Sequence, residues 1–119
     1  MAKILIIDDA YFVRVKLRNC IEGGGYTVVE AENGVEALKV YEAENPDMIF
    51  CDVTMPEMDG IETLKKLREM NPKVIVVMLT SVGEQQVLMD ALNSGAKNFI
   101  VKPFDEKKVL EVIKTFLNL

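Results

Sequence analysis

The sequence contains no histidine. That removes imidazole general bases, histidine-based catalytic triads and histidine-ligated metals. It also means that the chain cannot be a histidine phosphodonor, so any phosphate chemistry must begin on another molecule. Cysteine is scarce: Cys20 and Cys51 each lie among apolar neighbours, with no CxxC pair. Too few ligands are present for a zinc site. Both cysteines read as small buried hydrophobes rather than as a disulfide. No apolar stretch approaches the roughly 18 residues needed to span a membrane. Met1-Ala2-Lys3 runs directly into a short apolar strand, without the h-region and cleavage site of a signal peptide. A cytoplasmic protein is expected. Positive charge is in deficit as well: the net charge is −5 and no Lys/Arg run is visible, which argues against direct nucleic-acid binding. Low-complexity and linker segments are also absent.

What remains is globular. The chain has 119 residues, of which 50% are hydrophobic and 28% charged, as expected for one domain over residues 1–119. Apolar runs alternate with helical patterns. The runs are Ile4–Ile7, Thr27–Val29, Met48–Cys51, Val74–Leu79 and Phe99–Val101. Most are continuous, which suits strands buried on both faces of a parallel sheet. The second is short, with Tyr26 and Glu30 at its ends, and reads as an edge strand. Apolar stripes mark the helices: Val13, Leu17, Cys20 and Ile21; Ile61, Leu64 and Leu67; Leu88, Ala91 and Leu92; Val109, Val112, Ile113 and Phe116. Asn33 with Glu36, and Ser81 with Glu84, have capping-box spacing. Asp105 is placed to cap the last helix, Pro46 and Pro72 follow helices, and Gly95 is placed to end the fourth. Five βα units imply an α/β three-layer sandwich. Right-handed crossovers leave few topologies, and the flavodoxin-like strand order 2-1-3-4-5 is expected.

Open parallel sheets bind ligands beyond the carboxyl ends of their strands, where the strand order reverses. Asp8 and Asp9 follow the first strand, Asp52 the third, Thr80 and Ser81 the fourth, and Lys102 with Pro103 the fifth. Three carboxylates would therefore meet in one crevice beside a hydroxyl and an ammonium. Close carboxylates resist joint ionisation unless compensated. A hard cation such as Mg²⁺, which favours carboxylate and phosphate oxygens, is the natural compensation. Carboxylate nucleophiles form aspartyl-phosphates, and phosphoryl transfer needs mainly positioning and charge stabilisation. Taken singly, each residue has an ordinary role as turn former, cap or solvated surface. The four strand ends together do not.

The segments Leu5–Asp9, Cys51–Gly60, Leu79–Ser81 and Val101–Phe104 resemble the response-regulator receiver domains of two-component signalling, in the same order and over essentially the whole chain. The resemblance implies a role for each matching residue. Asp52 is the phosphoacceptor. Asp9 binds Mg²⁺ directly, with Asp8 contributing directly or through water, and the backbone carbonyl of Thr54 is a further ligand. Thr80 moves to hydrogen-bond the phosphoryl group, and Lys102 pairs with Asp52 and then with the phosphate. The Lys102-Pro103 bond is cis, and Gly60 suits a tight turn into the third helix. Phe99 is the switch aromatic, rotating inward as Thr80 vacates space. The face formed by the fourth helix, fifth strand and fifth helix then changes shape, with Val82, Gln86, Met89, Asn93, Lys97 and Phe99 on or near it. Phe99 stands where many members have Tyr, and Ala10 where many have a polar residue. Thr54 and Val82 flank the site at positions that tune hydrolysis. The implied partners are a histidine kinase and an effector protein, with a phosphatase as a further possible one, and the domain acts as a monomer. It is an acceptor, with only self-phosphorylation from small donors and slow autodephosphorylation, and not an enzyme. The chain ends with its last helix, which favours the stand-alone, chemotaxis-type members of the family.

Three other readings compete. A phosphorelay intermediate would pass its phosphoryl group to a histidine phosphotransfer domain. A haloacid-dehalogenase phosphatase needs a DxDx[TV] motif after the first strand, where this chain has Asp8-Asp9-Ala10-Tyr11. A flavodoxin-like electron carrier needs a Ser/Thr/Gly-rich phosphate loop at the same place.

Overall fold

The computed structural model describes residues 2–55 and 58–117. The elements run β1 (Lys3–Ile7), α1 (Tyr11–Gly23), β2 (Thr27–Ala31), α2 (Gly34–Glu44), β3 (Met48–Asp52), α3 (Gly60–Met70), β4 (Val76–Thr80), α4 (Gln85–Asn93), β5 (Asn98–Val101) and α5 (Glu106–Leu117). The strands form one sheet in the order β2-β1-β3-β4-β5, and every neighbouring pair is parallel. β2 is thus an edge strand, as its short polar-flanked run predicts.

The continuous apolar runs have the expected cause. Side chains alternate across a strand, so each central strand feeds two cores. Leu5, Ile7, Ile49, Cys51, Val76 and Met78 pack with Ala37, Tyr41, Leu64, Leu67, Leu88 and Ala91 of α2, α3 and α4. Ile4, Ile6, Met48, Phe50, Val77 and Leu79 pack with Leu17, Cys20, Ile21, Val109, Val112 and Ile113 of α1 and α5. All five residues of β3 and all five of β4 are buried. Cys20 and Cys51 are buried free thiols within these cores, and burial pushes the Cys51 thiol well above its ordinary range.

Local signals place most element ends. The Asn33 side chain accepts from the Glu36 backbone N–H at 2.8 Å and opens α2. α2 closes on left-handed Asn45, followed by Pro46. Asp105 accepts from the Lys108 N–H at 2.8 Å, and Gly95 takes φ 112 just beyond α4. Two expectations need correction. Val74 and Ile75 precede β4 rather than belonging to it; the Val74 N–H closes a turn onto the Asn71 carbonyl at 3.0 Å. Ser81 does not open α4: the helix starts at Gln85 with Glu84 at its N-cap. The cause is Gly83, whose φ of 97 breaks the helical path between Ser81 and Glu84. Only the return arm of the capping box forms, from the Ser81 N–H to Glu84 Oε1 at 2.7 Å. Among the described residues, no helix is long and apolar enough to cross a membrane.

Candidate functional site

Each strand run stops at its carboxyl end, and a polar residue follows in the position the parallel register dictates. β3 lies between β1 and β4, with Ile7 opposite Cys51 and Asp52 opposite Leu79. β5 pairs Val101 with Thr80. The ends of β1, β3, β4 and β5 therefore lie side by side on one rim of the sheet.

Asp8, Asp9 and Asp52 converge there, each offering a carboxylate oxygen within 4.8 Å of the others. Asp8 is fully buried and Asp52 nearly so, while Asp9 is exposed. One Asp8 oxygen accepts from the Ala10 N–H at 2.8 Å. The other accepts from Lys102 Nζ at 2.9 Å, and Lys102 Nζ stands 3.4 Å from Asp52 Oδ2. The lysine thus bridges two carboxylates and lies nearer to Asp8, rather than serving Asp52 alone. Asp52 Oδ1 takes a long hydrogen bond from the Thr54 N–H at 3.4 Å. The Lys102-Pro103 peptide is cis.

The electrostatics follow from burial. Desolvation first, then the neighbouring Asp8 charge, push the Asp52 carboxyl up to about 6, with Lys102 only partly offsetting them. Burial works against the charge of Lys102, but the Asp8 hydrogen bond and the Asp52 charge outweigh it and raise its pKa. A pocket with three carboxylates, one ammonium and oxygen donors facing one point fits a hard divalent cation.

Thr80 is buried at the end of β4. Its hydroxyl makes long contacts to the Ser81 carbonyl (3.5 Å) and Glu84 Oε1 (3.4 Å). Phe99 lies apart from the acidic cluster. It pairs in register with Met78, on the sheet face covered by α3 and α4, and its side chain is partly exposed. Val82, Gln86, Met89, Asn93 and Lys97 are likewise exposed.

Gly60 is needed for a reason other than turn freedom. A Cβ there would run into the Asp52 backbone carbonyl and come within 2.7 Å of the Val53 Cα. The start of α3 is packed directly against the strand end that carries Asp52, and the Gly60 N–H donates to the Val53 carbonyl at 3.1 Å. Pro56 and Glu57, part of the same motif, lie outside the described residues.

Sequence reasoning assigned Glu84 only as a helix signal. The structure places it at the site. Its Oε2 accepts from the Thr54 hydroxyl at 2.7 Å, while Oε1 holds the Ser81 N–H. Burial alone would raise its pKa, but the Thr54, Ser81 and Thr80 donors together lower it. Arg14 was also unassigned; its Nη1 donates to the Asp8 carbonyl at 2.6 Å and its Nε to Glu30 at 3.0 Å, fixing α1 against the end of β1.

Residues 4–114 match the family model of the response regulator receiver domain. The chain belongs to this family. Among receivers it is CheY-like. It is 45% identical to the chemotaxis protein CheY of Listeria monocytogenes, over 96% of this chain and 97% of that one. It is 35% identical to the sporulation initiation phosphotransferase F of Bacillus subtilis, over 98% of this chain and 94% of that one. A solved structure of the Vibrio cholerae chemotaxis protein CheY4 superimposes with a TM-score of 0.91 at 30% identity, covering 98% of both chains. The 2-1-3-4-5 order of this receiver is the order for which CheY is itself a standard example.

Proposed function

We propose that this receiver takes a phosphoryl group on Asp52 from a histidine kinase and uses it to bias a two-state surface. The observation that carries the reading is the convergence at one rim of the sheet of a buried carboxylate, Asp52, with the Lys102 ammonium 3.4 Å away and Asp8 and Asp9, which follow β1, beside it. An Asp52 oxygen attacks phosphorus. The bond from phosphorus to the donor's imidazole nitrogen, or to the acetate oxygen of acetyl phosphate, breaks, and the leaving group keeps the electron pair. Lys102 offsets the negative charge of the phosphoryl oxygens, and Thr80 turns its hydroxyl toward them. Asp8, Asp9, Asp52 and the Thr54 carbonyl would hold Mg²⁺, which supplies further neutralisation of phosphoryl oxygen charge.

The output follows from position. Phe99 and Thr80 belong to neighbouring strands β5 and β4, on the side where exposed Val82 and Met89 of the α4 region leave apolar surface. Phosphorylation is a local charge event, and the α4–β5–α5 face is the element it biases. An effector protein binds the favoured state in a cytoplasmic, chemotaxis-type pathway, and the receiver acts as a monomeric acceptor rather than a turnover enzyme. The test is intact mass after incubation with acetyl phosphate, with and without Mg²⁺, for wild type and Asp52→Asn. One added phosphoryl group that requires both Mg²⁺ and Asp52 is expected. No gain in wild type sinks the mechanism.

The likeness to a sporulation initiation phosphotransferase favours a second reading, a relay intermediate. Incubating the labelled receiver with a histidine phosphotransfer domain separates the two. Rapid loss of label to that domain supports the relay, and retention supports the effector switch.

A further inference from the structure

Glu84 makes more bonds than a helix start requires. A capping-box carboxylate returns one oxygen to the backbone N–H at the head of its turn, and Glu84 Oε1 does so with Ser81 at 2.7 Å. Its other oxygen accepts from the Thr54 hydroxyl at 2.7 Å, across a sequence separation of 30 residues. Thr54 follows β3 and Ser81 follows β4, so one carboxylate ties the end of the strand that carries Asp52 to the end of its neighbour. The same carboxylate faces the Thr80 hydroxyl at 3.4 Å.

That hydroxyl is the donor expected to turn toward a phosphoryl group, and its single proton cannot serve both acceptors. Glu84 also brings negative charge to the place where an anionic donor must arrive, and like charges there disfavour approach.

We propose that Glu84 is a positioning residue for phosphoryl transfer: a carboxylate latch that joins the segments after β3 and β4 and engages Thr80 in the unphosphorylated state. The proposal rests on Asp52 being the acceptor. Thr80 gives up its contact to Glu84 when it donates to a phosphoryl oxygen, and the latch contacts are assigned to the resting arrangement. They therefore stabilise the resting state against the phosphorylated one by their differential interaction, and their loss shifts the equilibrium toward the phosphorylated arrangement.

Two variants test it from opposite sides. Glu84→Gln keeps the side-chain shape and an acceptor for the Ser81 N–H, but removes the charge. Thr54→Val removes the far anchor and leaves the Thr54 backbone carbonyl in place. The first readout is the initial rate of acetyl-phosphate labelling at saturating Mg²⁺. The second is the equilibrium affinity for beryllofluoride, which occupies the phosphoryl position without turnover. Each variant is expected to label and bind roughly three- to tenfold better than wild type, within the usual net contribution of one solvent-exposed hydrogen bond. The double variant is expected to gain less than the product of the single gains, because the two residues form one contact. A purely structural cap would lower the melting temperature and leave both readouts unmoved or worse, and that result in both variants overturns the latch. If Glu84→Gln fails to melt cooperatively, Thr54→Val decides the matter alone. Failure of wild type to label removes the acceptor assignment and the latch with it, whereas normal wild-type labelling matched by both variants removes the latch alone.

Discussion

Asp52 is held where its charge is disfavoured. Burial and Asp8 lift its carboxyl from the ordinary 3.8 to about 6. The folded state therefore binds this proton more tightly than the unfolded chain does. From this group alone, stability is greatest below about pH 4, falls as pH rises, and reaches its lower plateau above about pH 6. A shift of two units corresponds to roughly 3 kcal/mol. Without added metal, Asp52→Asn is expected to be more stable than wild type at pH 7, by roughly 1–3 kcal/mol once the lost Lys102 contact is allowed for. The advantage should close as pH falls below about 4. Urea melts of both proteins across that range measure it, and a constant difference at all pH values would refute it. Asp8, Asp52, Thr80 and Lys102 were legible in the sequence because each directly follows an apolar run, where a strand must end, and Asp9 because it is next to Asp8. Glu84 was not. Its spacing from Ser81 revealed the bond at 2.7 Å, but nothing local pairs it with Thr54, which meets it only through the sheet.

At the scale of elements, the junction of β3 with α3 is the tightest part of the site. Gly60 leaves no room for a methyl group beside the Asp52 carbonyl. Gly60→Ala is expected to cost about 1–3 kcal/mol of stability through overpacking. Under fully native conditions it should also slow acetyl-phosphate labelling, since the displaced backbone carries the nucleophile. Urea melts and labelling rates on the same preparation check both effects, and a normal labelling rate would show that the strain is absorbed within α3. The sequence marked Gly60 as special but pointed to turn geometry, because close approach between chain segments leaves no local trace. β1, β3 and β4 were legible because burial on both faces demands unbroken apolar runs. The start of β4 was not, since Val74 and Ile75 are as apolar as the strand they precede and only the turn onto Asn71 separates them. The start of α4 was misplaced for a related reason: cap spacing was correct, but a left-handed Gly83 moved the helix beyond it.

At the scale of the molecule, site and stability are linked through the carboxylates. A cation bound by Asp8, Asp9 and Asp52 binds the folded chain alone, so Mg²⁺ is expected to raise the melting temperature. The gain grows as RT ln(1 + [Mg²⁺]/Kd), about 2.7 kcal/mol at a hundredfold excess over Kd. A chelator should reverse it, and Asp9→Ala should largely abolish it. Calorimetry at stepped Mg²⁺ concentrations checks this, and an unchanged melting temperature would refute cation binding at the cluster. The Asp8–Lys102 bond joins residues 94 positions apart. It fastens the first strand end to the last, with β3 and β4 between them in the sheet. No fragment and no half-assembled sheet can reproduce that constellation. Competence to accept a phosphoryl group should therefore appear late in refolding, after helical content and collapse. A timed pulse of acetyl phosphate would then count finished molecules rather than merely compact ones, making the chemistry of this domain its own stopwatch for assembly.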